Sequence, residues 1–255
     1  MNKTVRNIII RVSMLIGLGV FIFLLIVAKN TRNTTRIEKL NIEINDWNGN
    51  FFINKDQVKS VINNRFDIIG KTLSGEDLRK IENSLSILPQ SSLASAYTDN
   101  NGNLNIKIEQ RIPLFRVYNM QGQSYYVDEN KIKFSTSGNY TARVPIVTGK
   151  IMEKLDTLQQ PIKSAVLNKL YNTVQTVQEN KLWNALIGQY NINEKLEIEM
   201  IPRMGTATII IGDDKNIEQK LKQLEVFYFD VLQKVGWNYY KVINIMYKNQ
   251  VVCLK

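Results

Sequence analysis

Residues 12–28 form a run of 17 residues without a charged side chain, VSMLIGLGVFIFLLIVA. As an α-helix this run rises about 26 Å, close to the hydrocarbon core of a bilayer at about 30 Å. Ile8, Ile9 and Ile10 lengthen the run if the charged end of Arg11 reaches toward the headgroups. The run therefore predicts one transmembrane helix near the amino terminus.

A cleaved signal peptide is the alternative interpretation of the same run. Against it, the apolar stretch is long, and the following VAKNTRN lacks the small-residue pattern of a cleavage site. Basic residues flank both sides, so the positive-inside rule favours neither orientation. We expect residues 1–11 in the cytoplasm, because the 227 residues that follow the apolar run show no later span and need one compartment. This predicts a single-pass protein of the cell inner (cytoplasmic) membrane with a periplasmic C-terminal part.

The chain contains no histidine and a single cysteine, Cys253. The absence of histidine excludes serine–histidine and cysteine–histidine pairs, and it removes the commonest general base and metal ligand. One cysteine excludes an intramolecular disulfide and a thiolate metal cluster. We therefore predict no catalytic residue, no metal and no cofactor. The net charge of +10 comes from scattered lysines and arginines, a pattern that favours anionic membrane surfaces over nucleic acid.

The segment after residue 36 has the pattern of one strand followed by two helices. Apolar and polar residues alternate over 40–44, as in a half-buried strand. Asn54 followed by Gln57, and Ser74 followed by Asp77, have the spacing of capping boxes at helix N-termini. Each pair precedes an apolar stripe with helical periodicity.

A β-hairpin is predicted next. Asn101-Gly102 separates LASAYTD from NLNIKIEQ. An Asn-Gly pair favours the type I′ turn, in which both central residues have positive φ. The order is thus strand, helix, helix, strand, strand. Two helices packed on one face of a small sheet would close such a core.

The remainder of the chain is richer in strands. Asp213 and Asp214, which follow a strand and precede a helix, are interpreted as turn and N-cap residues rather than as a metal or acid–base pair. The predicted elements are a meander over 114–134, a helix from Pro161 to about Gly188, strands over 195–201 and 206–211, a helix from Asn216 to Val235, and a closing hairpin of KVINIMY and VVCLK.

Two family resemblances follow from these patterns. The strand–helix–helix–strand–strand unit resembles a POTRA domain. The stretch GNLNIKIEQRIPLFRV, with the later YYVD and ARVPIVTGKI, resembles the FtsQ/DivIB family of the Bacteroidetes type. The matching residues are Gln110, Arg111, Pro113, Tyr126, Asp128, Pro145 and Gly149. The closing INIMYKNQVV is also similar, but Asn244 and Met246 stand where the family has an aspartate and an arginine.

The resemblance implies an α+β fold with one N-terminal transmembrane helix, a POTRA-like β-α-α-β-β domain and an FtsQ-type strand-rich β domain with two helices. Arg111 and Pro113 mark the domain junction, because proline fixes φ and removes a backbone donor where one sheet ends. The expected parts are a cytoplasmic tail 1–11, the transmembrane helix 12–28, a linker 29–36, the POTRA-like domain 37–111 and the β domain 112–255.

The resemblance also implies a non-catalytic divisome scaffold at the division septum. Such a scaffold binds FtsB-like and FtsL-like coiled-coil membrane proteins and other divisome proteins, and thereby controls septal peptidoglycan synthesis. One alternative is a membrane-anchored envelope enzyme, which would need paired carboxylates or a serine–lysine dyad in a supporting motif. Another is a POTRA-bearing transport factor, which would carry several POTRA units.

In the resembling family a short strand of FtsB adds to the last strand, and nearby helix residues receive acidic side chains. An edge strand with unpaired backbone groups must either be protected from pairing with another chain or bind a partner strand. The alternative is that the last strand merely closes the sheet and that the lysines form a solvated face. The expected partner-binding residues are Tyr247, Val251, Val252, Cys253 and Leu254, with Lys220 and Lys222 as basic partners and Tyr228 as a weaker one.

Overall fold

The computed structural model of the chain describes residues 3–32, 36–45, 49 and 51–255, with side chains of the first helix described for residues 11–25. The chain divides into two compact units. The first unit contains residues 1–45, 54–87 and 91–109, and the second unit contains residues 46–53, 88–90 and 110–255.

The first helix, α1, runs over Lys3–Arg32. Among the residues that the structure describes, no helix is long and apolar enough to cross a membrane. The prediction of a transmembrane helix over 12–28 is therefore wrong. The uncharged run is shorter than the roughly 20 residues that a bilayer core requires, and Arg11 interrupts its extension toward the amino terminus.

The linker expected over 29–36 is only partly described. Helix α1 continues to Arg32, so the first half of this segment is helical. Residues 33–35 lie outside the described part of the chain. Arg36 forms an isolated antiparallel bridge with Thr72 within the first unit.

The first unit has the predicted order of elements. They are β1 (Lys39–Asn45), α2 (Lys55–Arg65), α3 (Gly75–Ser86), β2 (Ser91–Thr98) and β3 (Asn103–Gln110). The three strands form a sheet in the order β1-β3-β2, with β1 parallel to β3. Leu104, Ile106 and Ile108 of the central strand are fully buried, as their alternation with polar residues predicts.

Both predicted helix starts are confirmed. The side chain of Asn54 accepts the N–H of Gln57 at 2.8 Å. Ser74 accepts the N–H of Asp77 at 3.2 Å, and the Asp77 carboxylate accepts the N–H of Ser74 at 3.0 Å. Each cap satisfies N–H groups that the first helical turn leaves without an intrahelical acceptor.

The turn between β2 and β3 differs from the prediction. Only Gly102, with φ +77°, has the positive φ that a type I′ turn requires at both central residues. The Asp99 carboxylate instead accepts the N–H groups of Asn101 and Asn103, both at 2.9 Å. Aspartate readily forms such side-chain turns, so the loop includes Asp99 and is longer than the Asn-Gly pair alone.

The second unit contains one large sheet. Its strands are β4 (Pro113–Tyr118), β5 (Ser124–Asp128), β6 (Ile132–Ser135), β7 (Ile146–Gly149), β8 (Gln159–Pro161), β9 (Ile187–Ile192), β10 (Ile198–Pro202), β11 (Thr208–Gly212), β12 (Val242–Asn244) and β13 (Val252–Leu254). The ten strands lie in the order β13-β12-β11-β10-β9-β7-β4-β5-β6-β8. Strands β13 and β8 are therefore the two edges.

The helices of the second unit contribute to one core with the sheet. They are α4 (Ala165–Glu179), α5 (Lys181–Leu186), α6 (Ile217–Phe227), a π-helical turn (Tyr228–Leu232) and the short α7 (Gln233–Val235). Phe115, Val117, Ile209 and Ile211 of the sheet are buried in the same cluster as Leu224 of α6. Alternate strand residues face this cluster, whereas Tyr126 of β5 and Phe134 of β6 are buried outside it.

The helix predicted from Pro161 to Gly188 is shorter than expected. Pro161 ends strand β8, and Ser164 caps α4 by accepting the N–H of Leu167. Asn180 interrupts the helical pattern and caps α5, after which Ile187 begins strand β9. Strands β7, β8 and β9 were not predicted, because short strands that pair with distant residues leave little periodic signal.

Residues 46–53 and 88–90 belong to the second unit although the sequence range 37–111 includes them. Phe52 is completely buried, and its ring centroid lies 5.5 Å from that of Tyr126, 5.9 Å from Phe134 and 5.2 Å from Tyr140. The N–H of Ile53 donates to the Gln110 side chain at 2.8 Å. The second unit is thus built from three separate stretches of chain.

Candidate partner-binding edge

Strand β13 forms one edge of the ten-stranded sheet and pairs with β12. In the antiparallel register Leu254 lies opposite Val242, Cys253 opposite Ile243 and Val252 opposite Asn244. Within the described part of the chain, no strand follows β13 on its other side in the sheet order.

The hydrogen bonds of β12 show which of its backbone groups point toward β11. Lys241 accepts the N–H of Thr208 at 2.9 Å, and Ile245 donates its N–H to Ile210 at 3.0 Å. Because backbone groups alternate in direction along a strand, Val242 and Asn244 direct theirs toward β13.

The alternation along β13 follows from that of β12. Val252 and Leu254 lie opposite Asn244 and Val242, so their N–H and C=O groups point toward β12. The C=O of Leu254 also points toward the β12 side, since it accepts the N–H of Lys241 at 2.8 Å. Lys241 precedes β12 and bonds to both neighbouring strands, with its C=O toward β11 and its N–H toward β13. Cys253 therefore directs its N–H and C=O groups toward the open side. If the alternation continues to Val251, which directly precedes β13, the groups of that residue point outward as well.

The side chains of β13 alternate as well. Val252 is 43% exposed and Leu254 is 60% exposed, on the same face of the strand. Val251 and Cys253 are half-buried and pack against the core. Burial raises the pKa of the Cys253 thiol, which indicates a packed apolar role rather than a reactive thiolate.

A groove with a volume of about 620 Å³ lies between α6 and the loop that joins β12 to β13. Val226 is 61% exposed and Tyr247 is 51% exposed. The Gln223 side chain donates to the C=O groups of Tyr247 and Gln250, which fastens the loop to the helix. The groove is lined by Asn216, Gln219, Lys220, Lys222, Gln223, Val226, Phe227, Met246, Tyr247, Lys248, Asn249 and Val251.

The two lysines that we predicted as basic partners differ in their surroundings. The ammonium of Lys220 donates to the C=O of Ile211 and the carboxylate of Asp213, both at 2.8 Å, and the side chain is only 11% exposed. Lys220 therefore fastens the start of α6 to the end of β11. Lys222 and Lys248 are exposed at the groove.

Tyr228 lies in the core and not at the groove. It is 5% exposed, and its ring packs edge-on against Trp183 at 5.1 Å and beside Trp237 at 5.6 Å. Burial raises its pKa to about 12. Because its ring is buried in the core, Tyr228 is not placed to contact a partner. The π-helical turn begins at this residue.

Sequence reasoning missed Val226 and Lys248 as residues of the groove. Val226 lies four residues after Lys222, so both share one face of α6. The sequence signal for Val226 was an apolar residue on the charged side of an amphipathic helix, where it would be exposed. Lys248 lies in the loop, and its position depends on a register that the sequence does not specify.

Asp213 and Asp214 do not cap α6. The residue at the N-cap is Asn216, which has φ +52° and makes no side-chain cap bond. Asp213 accepts from Lys220, and Asp214 accepts the side-chain amide of Asn172 at 2.8 Å. The predicted turn role is confirmed for Asp213, whose carboxylate also accepts the N–H of Lys215 at 3.2 Å. The predicted N-cap role is wrong, because Asn216 occupies that position.

We expect Asp213→Asn to lower stability near neutral pH but not in acid. Burial alone would raise the pKa of Asp213, but donation from Lys220 and the N–H of Lys215 holds it below its ordinary value. A lowered pKa stabilises the folded state fully above the unfolded value of about 4, and this contribution is lost as the pH falls through the folded value. The measurement is urea unfolding of both proteins at about pH 6 and about pH 2.5.

Asp214→Asn removes an equal charge beside it without touching Lys220, and it serves as the control. A stability difference between the wild type and Asp213→Asn that is equal at both pH values would contradict the assignment.

The opposite edge of the sheet, β8, is less suited to accept a further strand. Ser135 donates its N–H to Leu158 at 3.2 Å, and Ile162 donates to Lys131 at 2.9 Å. Gln159 and Pro161 therefore face outward. Proline has no N–H to offer a further strand, and the C=O of Gln159 accepts the Thr157 hydroxyl at 2.9 Å.

The family-like residues at the start of the second unit are structural. Arg111 donates to Asp128 at 2.6 Å and to Gln159 at 2.5 Å, and the Asp128 side chain is 1% exposed. Asp128 also accepts the N–H groups of Asn130 and Ile132. Pro113 begins β4, where the register with β5 shifts. These contacts fix the first strand of the unit to the β5–β6 turn.

The two departures from the family pattern also have structural explanations. The Asn244 side chain accepts the N–H of Met246 at 2.9 Å, a turn that asparagine and aspartate form alike. Met246 packs over Gly212, whose missing Cβ would lie 2.5 Å from the Met246 sulfur. A neutral side chain thus fills the space at this end of β12.

Sequence models of two known families match the chain. That of the FtsQ/DivIB, C-terminal related family matches residues 112–254, and that of the POTRA-like domain matches residues 35–109. No curated protein matches the chain. The two family matches confirm the resemblance drawn from the sequence.

Proposed function

The chain belongs to the FtsQ/DivIB, C-terminal related family, and from this premise we propose that it is a non-catalytic cell-division scaffold whose β13 edge binds a partner strand. The two matched families are non-catalytic, and FtsQ/DivIB proteins interact with other divisome proteins. This family also suggests a place at the division septum.

The contrast between the two sheet edges carries the proposal. Strand β8 offers a proline and a capped carbonyl at its outer side. In this proposal β13 presents the N–H and C=O groups of Cys253, and Val251, which directly precedes the strand, continues the same outward side. Edge strands are either guarded or used, because unpaired backbone groups readily accept another strand. Strand addition draws its affinity from these main-chain bonds.

The side chains around β13 support a partner of a particular kind. Val252 and Leu254 offer apolar contacts on one face of an added strand. The groove beside α6 offers Tyr247 and Val226, with Lys222 and Lys248 at its rim. These features favour a partner in which a short apolar strand is joined to a helix with acidic side chains.

We propose FtsB-like and FtsL-like coiled-coil proteins as the partners, because this chemistry suits them. The proposed contacts are Tyr247, Val251, Val252, Cys253 and Leu254. In this proposal Lys222 supplies the basic contact, and Lys220 acts indirectly through its hold on Asp213.

Val251→Pro tests the proposal, because it removes an outward N–H. We expect affinity for the FtsB-like protein of the same organism to fall at least about tenfold. Val251→Ala is the matched control, since it shortens the same side chain but keeps the N–H, and it should bind nearly as the wild type does. Affinity is measured by titration calorimetry on variants whose circular dichroism matches that of the wild type.

Val252→Pro gives a second comparison. Its N–H points toward β12, so this variant should lose thermal stability rather than lose partner binding selectively. Wild-type affinity in a folded Val251→Pro variant would place the binding site elsewhere.

A further inference from the structure

Strand β2 is an edge of the three-stranded sheet in the first unit. The N–H of Asp99 donates to the C=O of Asn103 at 3.0 Å, which fixes the alternation along β2. Residues 93, 95 and 97 direct their backbone groups toward β3, and residues 94, 96 and 98 direct theirs outward. Before residue 93 this alternation is broken, because the C=O of Gln90 accepts the N–H of Arg111.

One outward group of β2 is occupied by a side chain. The N–H of Ala96 donates to the Glu82 carboxylate at 2.8 Å. Glu82 lies on α3, one turn before Ser86 at its end. Its carboxylate takes the position in which the C=O of an added strand would accept the same N–H.

The outer side of β2 is complementary to itself. In a two-fold antiparallel pairing that places Ala96 opposite Ala94 of a second copy, each alanine exchanges backbone hydrogen bonds with its counterpart. The same register brings Leu93 of one copy opposite Tyr97 of the other. Leu93 is 56% exposed and Tyr97 is 46% exposed, and such aliphatic–aromatic pairs across strands are favourable.

We propose that Glu82 is a guard residue that prevents strand β2 from pairing with β2 of a second copy of the chain. Pairing would require each carboxylate to leave its N–H donor and would bring two negative charges toward one interface. Charged side chains that point toward an edge are a known means of preventing association of sheets. The guard leaves β13 as the strand-accepting edge of the second unit and closes this edge of the first.

Glu82→Ala and Glu82→Gln separate the guard from a merely structural residue. In the full chain at low concentration, we expect hydrogen exchange of the Ala96 amide to accelerate at least tenfold in Glu82→Ala. In Glu82→Gln the exchange should change by less than about threefold, because glutamine keeps an acceptor of the same length. If the alanine variant does not fold, Glu82→Ser gives the same comparison, since serine is too short to reach the Ala96 N–H.

Disulfide trapping tests the pairing itself. Ser95 lies on the two-fold axis of the proposed register, opposite Ser95 of the second copy, at a separation that suits a disulfide. With Cys253→Ala and Ser95→Cys in the chain, oxidation should yield covalent dimers in the Glu82→Ala background. In the Glu82 background the yield should be at least fivefold lower.

Unchanged exchange at Ala96 in Glu82→Ala would overturn the proposal. So would equal dimer yields with and without Glu82, or no dimer in either background.

Discussion

Gly149→Ala is expected to lower the free energy of unfolding by about 3–5 kcal/mol. Gly149 ends strand β7 with φ +98°, a conformation that residues with a Cβ rarely adopt. A Cβ at this position would lie 2.1 Å from the C=O oxygen of Ile192 and 2.6 Å from the Asn191 side-chain oxygen. The Ile192 carbonyl is part of the sheet and also accepts the N–H of Lys150, so relief would require the strands to separate.

Gly138→Ala is the matched control. Nothing lies within 4 Å of a Cβ built at Gly138, and its φ is not positive. Its stability should therefore stay within about 0.5 kcal/mol of the wild type, or rise slightly. Both variants are compared by denaturant unfolding at a fixed temperature, followed by circular dichroism. Equal stability of the two variants would show that strand β7 does not pass Ile192 as closely as described.

Phe52→Ala is expected to cost about 3–5 kcal/mol of stability, the range for removing a buried aromatic ring. Phe52 is 0% exposed and contacts three aromatic rings of the second unit. Its C=O also accepts the Ser137 hydroxyl at 2.9 Å and the Asn139 amide at 3.1 Å. The alanine variant keeps these backbone contacts but leaves a cavity among the rings.

Phe51→Ala is the control from the neighbouring residue. Phe51 is 57% exposed, so its loss should cost less than about 1 kcal/mol. A stability loss in Phe51→Ala as large as that in Phe52→Ala would contradict the assignment of Phe52 to the core.

A fragment that starts at Gln110 lacks residues 46–53, and with them the buried ring of Phe52. It should therefore be less stable than the intact second unit.

The structural features that could be predicted from the sequence are those that depend on residues close together in the chain. Asn54 and Ser74 cap helices because their acceptors and the N–H groups they bind lie within one turn. Leu104 and its alternate neighbours identify a half-buried strand without knowledge of its partner. The apolar run over 12–28 was equally local, but its length alone did not decide whether a helix crosses a membrane.

Contacts between distant residues were not predictable in the same way. Strand β7 has four residues, and its position between β4 and β9 depends on partners far along the chain. The candidate edge shows the same limit. The sequence indicates that the last strand lies at an edge. Only its register with β12 shows that the backbone groups of Val252 point inward and those of Cys253 point outward.

The predicted site residues differ in how deeply their side chains are buried. Tyr228 and Lys222 lie on one continuous helical segment, yet one ring is enclosed by tryptophans and the other side chain is exposed. When a helix has apolar residues on more than one side, its sequence does not show which side packs against the sheet. The π-helical turn at Tyr228 adds to this, because it shifts every later side chain around the axis.

The position of Phe52 has a consequence for how the protein is made. Its C=O bonds to Ser137, which lies 85 residues later in the chain. At a synthesis rate of about 5–20 residues per second, Ser137 leaves the ribosomal active site roughly 4–17 s after Phe52. For most of that interval none of its three aromatic neighbours has been translated, since Tyr126 is the first of them and Tyr140 follows Ser137. Closing so long a loop is slow, so the second unit matures only after translation has passed Tyr140.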